Sequence, residues 1–514
     1  MEHNESVGRL TTARPWRRAT LWLVLLGPFF FASYGFANWW TARLPQVPSV
    51  VFAWEKYIPF WDWTILPYMS IDAFYAVSLF MCTSRAELDT HARRLLTATL
   101  ISVGGFLLFP LQCTFARPAT SGFNGMLFDM LTGFDKPFNQ APSLHVSLLM
   151  LLWARYNRHL RGWPRQLLHG WFLLIGISVF TTWQHHVIDG VWGVAVGLLC
   201  FYLFPESPAE PPAENRTGNA RRADDQPAVA KPVFFDMQAM TASLAVHAPD
   251  LADSYALAQR LNAARRYDLA RRYLATALLC WATACYLRGW SWWLLWPFLS
   301  LLLVALAYAR AGVAVFQKQD GQQSRAARLL LAPYRLGSWL ASRWFSRHDA
   351  ARVQVVPGLW IGRAPGQRDW CAPQPIAVLD LTAEFSASRE ARRMPYASVP
   401  MLDLLAPTLA QLQQAIDALH ALHGQMQMSL TLPDVHSNAT QSGSQSVLVH
   451  CALGYSRSAL VAAAWLLHTR QCGTPEHAVA CVRAARPQIV LPSPSLVLLE
   501  LFYLNLLQPT AVLA

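Results

Sequence analysis

Apolar residues in this chain gather into runs close to the ~20 residues that a helix needs to cross a bilayer. Eight stretches approach that length, and we predict them as membrane spans: 20–38, 66–82, 95–112, 141–153, 166–182, 187–204, 273–288 and 291–309. The first run continues through Phe29 to Trp40, past the length of a signal-peptide core. It therefore indicates a retained anchor.

The pattern changes after Phe204, where proline and charged residues form a stretch that cannot build a core. Further on, Ala377–Leu381 and Val447–Val449 are typical of strands, and Leu409–Leu422 of a helix. We predict a cytoplasmic N-terminus at 1–19, a six-span domain at 20–204, a linker at 205–231, a helical region with two further spans at 232–312, an amphipathic connector at 313–351 and a globular domain at 352–510. The fold class is a multi-pass α-helical membrane domain, a six-helix bundle plus a two-helix hairpin, followed by an α/β domain.

The connector 313–351 places arginines among leucines and tryptophans. A basic amphipathic stretch beside a span can lie on anionic lipid or can be a solvated connector. The sequence leaves both interpretations open.

Composition supports a membrane location, because 54% hydrophobic and 14% charged residues is too apolar for an ordinary soluble chain. The net charge of +12 comes mostly from arginines that lie in every second loop between the predicted spans. These arginines are Arg9, Arg14, Arg17, Arg18, Arg85, Arg93, Arg94, Arg155, Arg158, Arg161 and Arg165. Basic loops stay cytoplasmic, so the N-terminus and, after an even number of spans, the C-terminus are predicted to be cytoplasmic. No nucleic-acid recognition module accompanies this charge, and we predict no nucleic-acid partner.

The stretch His450–Ser458 reads HCALGYSRS, follows an apolar strand and precedes a helical segment. A five-residue loop between Cys451 and Arg457 can wrap a phosphate with backbone N–H groups, and the helix N-terminus adds positive potential. The same field favours a thiolate, and a guanidinium can close the ring bidentately. A buried structural thiol explains Cys472 and Cys481, but it does not explain this arrangement. The pattern predicts a cysteine nucleophile for phosphate esters.

This stretch resembles the Cys-x5-Arg signature of protein tyrosine and dual-specificity phosphatases, and the resemblance extends over roughly 352–507. It implies that His450 orients the nucleophile Cys451 and that Ser458 helps the thiolate leave the phosphoenzyme. The implied phosphate-binding positions are Ala452, Leu453, Gly454, Tyr455 and Ser456. No Lys or Arg joins Arg457 in the loop, which disfavours polyphosphorylated inositol headgroups as substrates. The mechanism needs no cofactor and no metal.

Such an enzyme needs an acid to protonate the leaving oxygen. Asp403 matches the position before the helix that precedes the signature strand in dual-specificity phosphatases. The polar stretch 424–446 is predicted to be a loop insertion that lengthens the path to Cys451. Asp434 within it is the rival acid.

A second group of ionisable residues lies near the ends of predicted spans, where such residues are costly unless used. Arg117 precedes the fourth span, Ser143 and His145 open it, and His185 and Asp189 open the sixth. His185 and Asp189 are four residues apart, so on a helix the carboxylate can fix the imidazole tautomer. The alternative is that the histidines only hydrogen-bond between helices.

This group resembles the type 2 phosphatidic acid phosphatase superfamily over about residues 66–204. The resemblance implies that His185 attacks phosphorus, with Asp189 orienting it, and that His145 protonates the leaving group. Arg117 and Ser143 would hold the phosphate.

Two departures separate the chain from that family, since Pro110 and Val179 stand where it often has a lysine and an arginine. They make the domain similar to the branch of inositol phosphorylceramide synthase and sphingomyelin synthase. Lys136 or His186 is left to supply the missing charge.

The sequence therefore predicts a two-domain phosphatase, similar to fusions of these families in bacterial inner membranes. Its partners are the bilayer and phosphorylated lipids or phosphoproteins. One alternative makes the membrane domain a lipid headgroup phosphotransferase, and another makes the chain a non-catalytic sensor of phosphorylated ligands. No oligomeric state follows from the sequence.

Overall fold

The computed structural model describes residues 14–206, 249–287, 289–370, 375, 377–431 and 446–507. Two compact units divide the chain: Met1–Pro211 with Ala282–Leu294, and Pro212–Trp281 with Leu295–Ala514. Asp434 and most of the linker 205–231 fall outside the described residues.

Seven helices form the described part of the first unit: Trp16–Thr41 (α1), Ile65–Phe80 (α2), Arg85–Leu108 (α3), Gly122–Phe134 (α4), Leu144–His159 (α5), Gly162–Thr181 (α6) and Val187–Leu203 (α7). All except α4 coincide with predicted spans. Two described segments, Trp16–Thr41 and Gly289–Phe316, are long and apolar enough to cross a membrane. The helical architecture is confirmed, whereas eight spans stay a prediction.

Helices α5 and α7 approach closely at their N-terminal ends. A Cβ at Gly193 would lie 2.6 Å from the Ser143 carbonyl oxygen and 2.8 Å from the Val146 Cβ, so the packing needs a glycine. Ser147 Oγ donates to the Gly193 carbonyl at 3.0 Å. This contact fixes the ends that carry the predicted histidines.

Charged residues meet at the opposite end of α5. Arg155 is almost fully buried, and its Nη2 lies 2.9 Å from Glu206 Oε1 while its Nη1 contacts Glu87. Arg94 Nη1 reaches the same Glu206 oxygen at 2.8 Å. Arginines from two of the basic loops therefore gather at one end of the bundle.

The second unit contains the helix Pro249–Leu287 (α8) up to Trp281. Its other helices are Leu295–Leu306 (α9), Arg325–Leu330 (α10), Ala332–Phe345 (α11), Leu409–Thr431 (α12), Arg457–His468 (α13), Pro475–Ala485 (α14) and Ser493–Leu507 (α15). Its strands are Lys318–Gln319 (β1), Gln322–Gln323 (β2), Arg352–Val356 (β3), Leu359–Arg363 (β4), Ala377–Thr382 (β5), Tyr396–Met401 (β6) and Val447–Cys451 (β7). The larger sheet has the order β3-β4-β7-β5-β6, and all its neighbours are parallel except β3 and β4. This confirms the α/β domain.

Helix α12 is longer than predicted and runs to Thr431, into the stretch whose polarity indicated a loop. Leu422 and Met426 keep the helical spacing of buried positions and pack into the core. The helix continues to Thr431 because apolar residues on one of its faces are buried, although its other face is polar.

The connector 313–351 packs against the α/β domain. Lys318, from β1, is fully buried, and its Nζ donates to Asp380 Oδ2 at 2.7 Å. Asp380 also accepts from the Tyr396 hydroxyl at 2.7 Å and from Thr382. Burial raises the pKa of Asp380, but Lys318 and His450 outweigh it and hold that pKa well below its usual range.

Lys318→Met should destabilise the second unit by about 3 kcal/mol, because it leaves a buried carboxylate without its cation. Adding Asp380→Asn should restore part of the loss. The thermal melting of the purified full chain measures both effects. Arg325→Met, an exposed change in the same segment, is the control, and equal losses in the two single variants would contradict the prediction.

Candidate active sites

Cys451 ends β7, and the loop after it leads into α13, which begins at Arg457. The cysteine is 3% exposed, and its Sγ accepts from the Gly454 amide at 3.2 Å and lies 3.4 Å from Ser458 Oγ. Gly454 has φ +79°, and a Cβ there would lie 2.5 Å from the Gly362 carbonyl carbon. Only glycine fits this turn, which folds backbone donors around the sulfur.

Arg457 is the first residue of α13, and its side chain is 1% exposed. Its Nη2 is 2.7 Å from Glu384 Oε1 and 2.9 Å from Asp403 Oδ1, and its Nη1 donates to the Met401 carbonyl at 2.8 Å. Burial lowers the pKa of Arg457, but Asp403 and Glu384 outweigh it and keep the pKa well above its usual value. The structure thus brings Cys451, Arg457 and Asp403 together.

Glu384 is a site residue that the sequence analysis missed. It follows β5, the neighbour of β7 in the parallel sheet, and binds Arg457 through both carboxylate oxygens at 2.7 and 3.2 Å. Ligands of such sheets bind at the carboxyl ends of the strands, so its position after a buried strand was the available signal.

His450 precedes the nucleophile on β7. Its Nε2 lies 3.8 Å from Asp380 Oδ1, within the network that Lys318 completes. Burial lowers the pKa of His450, and the opposing effect of Asp380 is smaller. Burial thus disfavours the charged form of the ring that lies under the Cys451 loop.

Residues of α8 hold the loop that carries Asp403. Asn262 Nδ2 donates to the Ala406 carbonyl and its Oδ1 accepts from the Ala406 amide, both at 3.1 Å. Arg265 Nε donates to the Leu404 carbonyl at 2.9 Å. Leu404 has φ +62°, a strained value for a residue with a side chain, which such fixed partners must maintain.

Tyr308 holds the same loop from another direction, because its hydroxyl donates to the Asp403 carbonyl at 3.1 Å. Its own carbonyl accepts from Arg266 Nε at 2.6 Å, and its ring stacks on Tyr273 at 5.4 Å. We call Asn262, Arg265 and Tyr308 the loop clamp.

The first unit contains a cavity of about 80 Å³ that includes His145 and His185. Its other polar lining residues are Tyr34, Tyr68, Asp72 and Asp135. His145 stacks on Tyr68 with ring centroids 4.0 Å apart. Burial raises the pKa of Asp135, which accepts from the Tyr34 hydroxyl at 2.7 Å, to about 6. Neither aspartate was predicted from the sequence.

Asp189 and His185 lie together at the start of α7, with Asp189 Oδ2 3.6 Å from His185 Nδ1. The same carboxylate oxygen accepts from the His186 amide at 2.8 Å. His186 Nε2 accepts from the Thr114 amide at 3.2 Å, and its Nδ1 lies 3.1 Å from Glu55 Oε2. His186 is not among the described residues that line the cavity.

The two residues predicted to bind phosphate, Arg117 and Ser143, are not among the residues that line the cavity. Ser143 caps α5, where its Oγ accepts from the Val146 amide at 3.3 Å and its own amide donates to the Asp189 carbonyl at 2.9 Å. The Arg117 guanidinium lies over the Phe128 ring at 4.4 Å. Lys136 is exposed. No Lys or Arg is among the described residues that line the cavity.

Among the described residues, one group has the geometry of metal ligands. The ligand atoms of Cys472, His477 and Cys481 lie within 4.8 Å of one another. Two thiols and an imidazole suit zinc and leave one position of a tetrahedron open. The group belongs to α14 and the turn before it and includes none of the catalytic loop.

Two family models match the chain: "Dual specificity phosphatase, catalytic domain" over residues 370–499 and "PAP2 superfamily" over residues 63–203. The chain therefore combines a dual specificity phosphatase domain with a PAP2-superfamily domain, and it is a phosphatase. No curated protein matches the chain.

Solved structures resemble the C-terminal domain. Tk-PTP in its active form is 21% identical, covers 30% of this chain and 99% of its own, and gives a TM-score of 0.25. PTPMT1 in complex with PI(5)P is 20% identical, covers 30% and 97%, and gives 0.25. Human DUSP28 is 22% identical, covers 31% and 96%, and gives 0.24.

Proposed function

We propose that the C-terminal domain hydrolyses phosphate monoesters of lipids or proteins through a phosphocysteine. The Cys451 thiolate attacks phosphorus while the loop amides and Arg457 bind the phosphate oxygens. Asp403 gives its proton to the leaving oxygen, and water then releases phosphate from sulfur. The observation that carries this proposal is the 2.9 Å contact between Asp403 and Arg457, which puts the acid at the phosphate loop.

For the PAP2-superfamily domain we propose histidine-dependent chemistry on lipid phosphate. His185 attacks phosphorus through Nε2, since its Nδ1 faces Asp189. His145, in the same cavity, protonates the leaving oxygen. The first turn of α5 offers backbone N–H groups to the phosphate.

We also propose that the chain is a multi-pass protein of a bacterial inner membrane with both termini in the cytoplasm. Large apolar side chains of α1 point outward, including Leu21, Val24, Leu25, Phe31 and Phe36. The basic loop arginines gather at one end of the first bundle, which fits the cytoplasmic side. The predicted histidines lie at the opposite end of α5.

A second candidate function for this cavity is transfer of a lipid headgroup to an alcohol. Asp72 and Asp135 line the cavity, and no described cation does. Two carboxylates repel a doubly charged monoester more than a singly charged phosphodiester. A carboxylate near its pKa can also take the proton of an acceptor hydroxyl. This observation favours the sphingomyelin synthase-like branch over a simple acid phosphatase.

The two activities should be separable in the full chain. Cys451→Ser should abolish hydrolysis of para-nitrophenyl phosphate, because no other group of the loop can form the thiophosphate bond, and should leave lipid chemistry at the His185 site intact. His185→Ala should have the reverse effect. Product analysis with labelled lipid distinguishes free phosphate from transfer to an alcohol. Loss of both activities in either folded variant would mean that the two sites act as one.

Asp403→Asn should reduce phenyl phosphate hydrolysis about a hundredfold or more and activated aryl esters much less, because only a poor leaving group needs the acid. Asn262→Ala should reduce phenyl phosphate hydrolysis about tenfold, since it removes two hydrogen bonds that position the loop. Initial rates over a series of aryl phosphates measure both effects.

The matched control is Arg260→Ala, at an exposed position on the same helix. In the Asp403→Asn background, Asn262→Ala should add less than about a twofold loss, because the two residues act on one step. An undiminished loss in that background would show that Asn262 acts on stability alone. An Asp403→Asn variant without leaving-group dependence would refute the acid itself.

Topology reporters test the proposed sides of the membrane. A phosphatase reporter that works only in the periplasm should be active when fused after Lys136 and inactive when fused after Ala514. A thiolate nucleophile suits the reducing cytoplasm. Activity at both fusion points would refute the even number of spans.

A further inference from the structure

The connector helix α11 turns polar residues toward the protein and large apolar residues outward, which is the opposite of an ordinary surface helix. Small polar residues recur every four positions on the face toward the protein, where Ser342 and Ser346 are buried. Large apolar side chains point outward: Leu336, Trp339, Leu340, Trp344 and Phe345 are between 47% and 70% exposed. Single exposed apolar residues are ordinary, but a contiguous set on one helix marks a surface that binds something apolar. We call these five residues the outer face.

Positive charge borders the outer face. The exposed Arg347 guanidinium lies 4.1 Å from the Trp344 ring centroid. Tryptophan rings favour the headgroup region of a bilayer, and arginines beside them can bind lipid phosphates. This combination complements an anionic membrane surface.

The outer face is also next to a segment long enough to enter a membrane. Helix α9 lies within the candidate span Gly289–Phe316. Ser300 Oγ of α9 accepts from the Tyr334 amide of α11 at 3.3 Å, and Trp296 Nε1 donates to the Leu329 carbonyl at 3.0 Å. A bilayer that holds this segment would meet α11 at its surface.

The inner face of the same helix holds the catalytic loop. Ser342 Oγ donates to the Ala452 carbonyl at 2.6 Å, and Arg343 Nη2 donates to the Ala364 carbonyl at 2.8 Å. Just beyond α11, Asp349 accepts from the Tyr455 hydroxyl of the loop. The catalytic loop and the outer face are therefore about one helix diameter, ~10 Å, apart.

We propose that the outer face of α11 lies in the interface of an anionic bilayer and presents the Cys451 loop to phosphate monoesters of lipids in that membrane. The proposal rests on the proposed hydrolysis by the C-terminal domain and names its substrate class. Burial of each of these apolar side chains in the bilayer interface favours the membrane-bound position. Five of them on one side would hold the catalytic domain against the lipid rather than leave it free on the connector.

The first test uses the full chain in nanodiscs of phosphatidylglycerol, with p-benzoylphenylalanine in place of Trp344. Illumination should attach lipid at this position, which mass spectrometry of the labelled peptide detects. The same photoreactive residue in place of Leu496, an exposed apolar position on α15, is the control and should capture no lipid. Capture of protein at position 344, or of nothing, would overturn the proposal.

The second test compares two substrates in a His185→Ala background, so that only the Cys451 site acts. The triple variant Trp339→Ser, Leu340→Ser, Trp344→Ser should lose about tenfold or more of the activity on phosphatidic acid in the nanodiscs. Its activity on soluble para-nitrophenyl phosphate should stay within about twofold, which also shows that the domain is folded. Retained lipid activity, or equal losses on both substrates, would overturn the proposal. Failure of Cys451→Ser to abolish soluble hydrolysis would instead refute the proposed function.

Discussion

A buried guanidinium sets the main constraint on the C-terminal domain. Arg457 has almost no exposure, and a charge in that position is tolerated only with good partners. Glu384 follows β5, the Met401 carbonyl ends β6, and the arginine itself follows β7. Three neighbouring parallel strands must therefore end together. Because an unpaired buried charge costs several kcal/mol, this arginine, which we propose as the ligand of the substrate phosphate, also favours the strand order and register around it.

The residues that precede the catalytic domain extend this constraint. Lys318 neutralises Asp380 under His450, Asn262 holds both backbone groups of Ala406, and Ser342 binds the carbonyl of Ala452. Each contact ends on a different wall of the site: the strand below the cysteine, the loop of the acid and the loop of the phosphate. The connector and α8 therefore contact the candidate active site directly, although the sequence predicted only an amphipathic connector at 313–351 and a helical region with two further spans at 232–312.

The sequence predicts those parts of the site whose chemistry is local. Cys451, Gly454 and Arg457 are recognisable because one loop must wrap one phosphate, and six predicted spans coincide with helices because apolar length is a local property. The sequence does not reveal Glu384, Lys318 or Asn262, which are ordinary residues whose partners are distant in the chain. It likewise assigned Arg117 to the phosphate, and that role stays a prediction, because the guanidinium lies over the Phe128 ring and Arg117 is not among the residues that line the cavity. Long-range partners depend on tertiary packing that no short pattern encodes.

The two sites solve the problem of holding a phosphate in different ways. The C-terminal site combines the start of α13 with the Arg457 guanidinium, which is itself paired with Glu384 and Asp403, so a phosphate there would meet a cation as well as backbone amides. The described lining of the cavity in the first unit has two histidines and two aspartates but no Lys or Arg. A phosphate there would have to be bound by helix N-termini and imidazoles. Each added negative charge on the ligand costs more there, because the aspartates stay in a poorly solvated space. On the proposed functions, this difference in charge balance would separate the substrates by ionisation state: we propose monoesters for the cysteine site, and singly charged esters with a neutral or cationic headgroup for the histidine site.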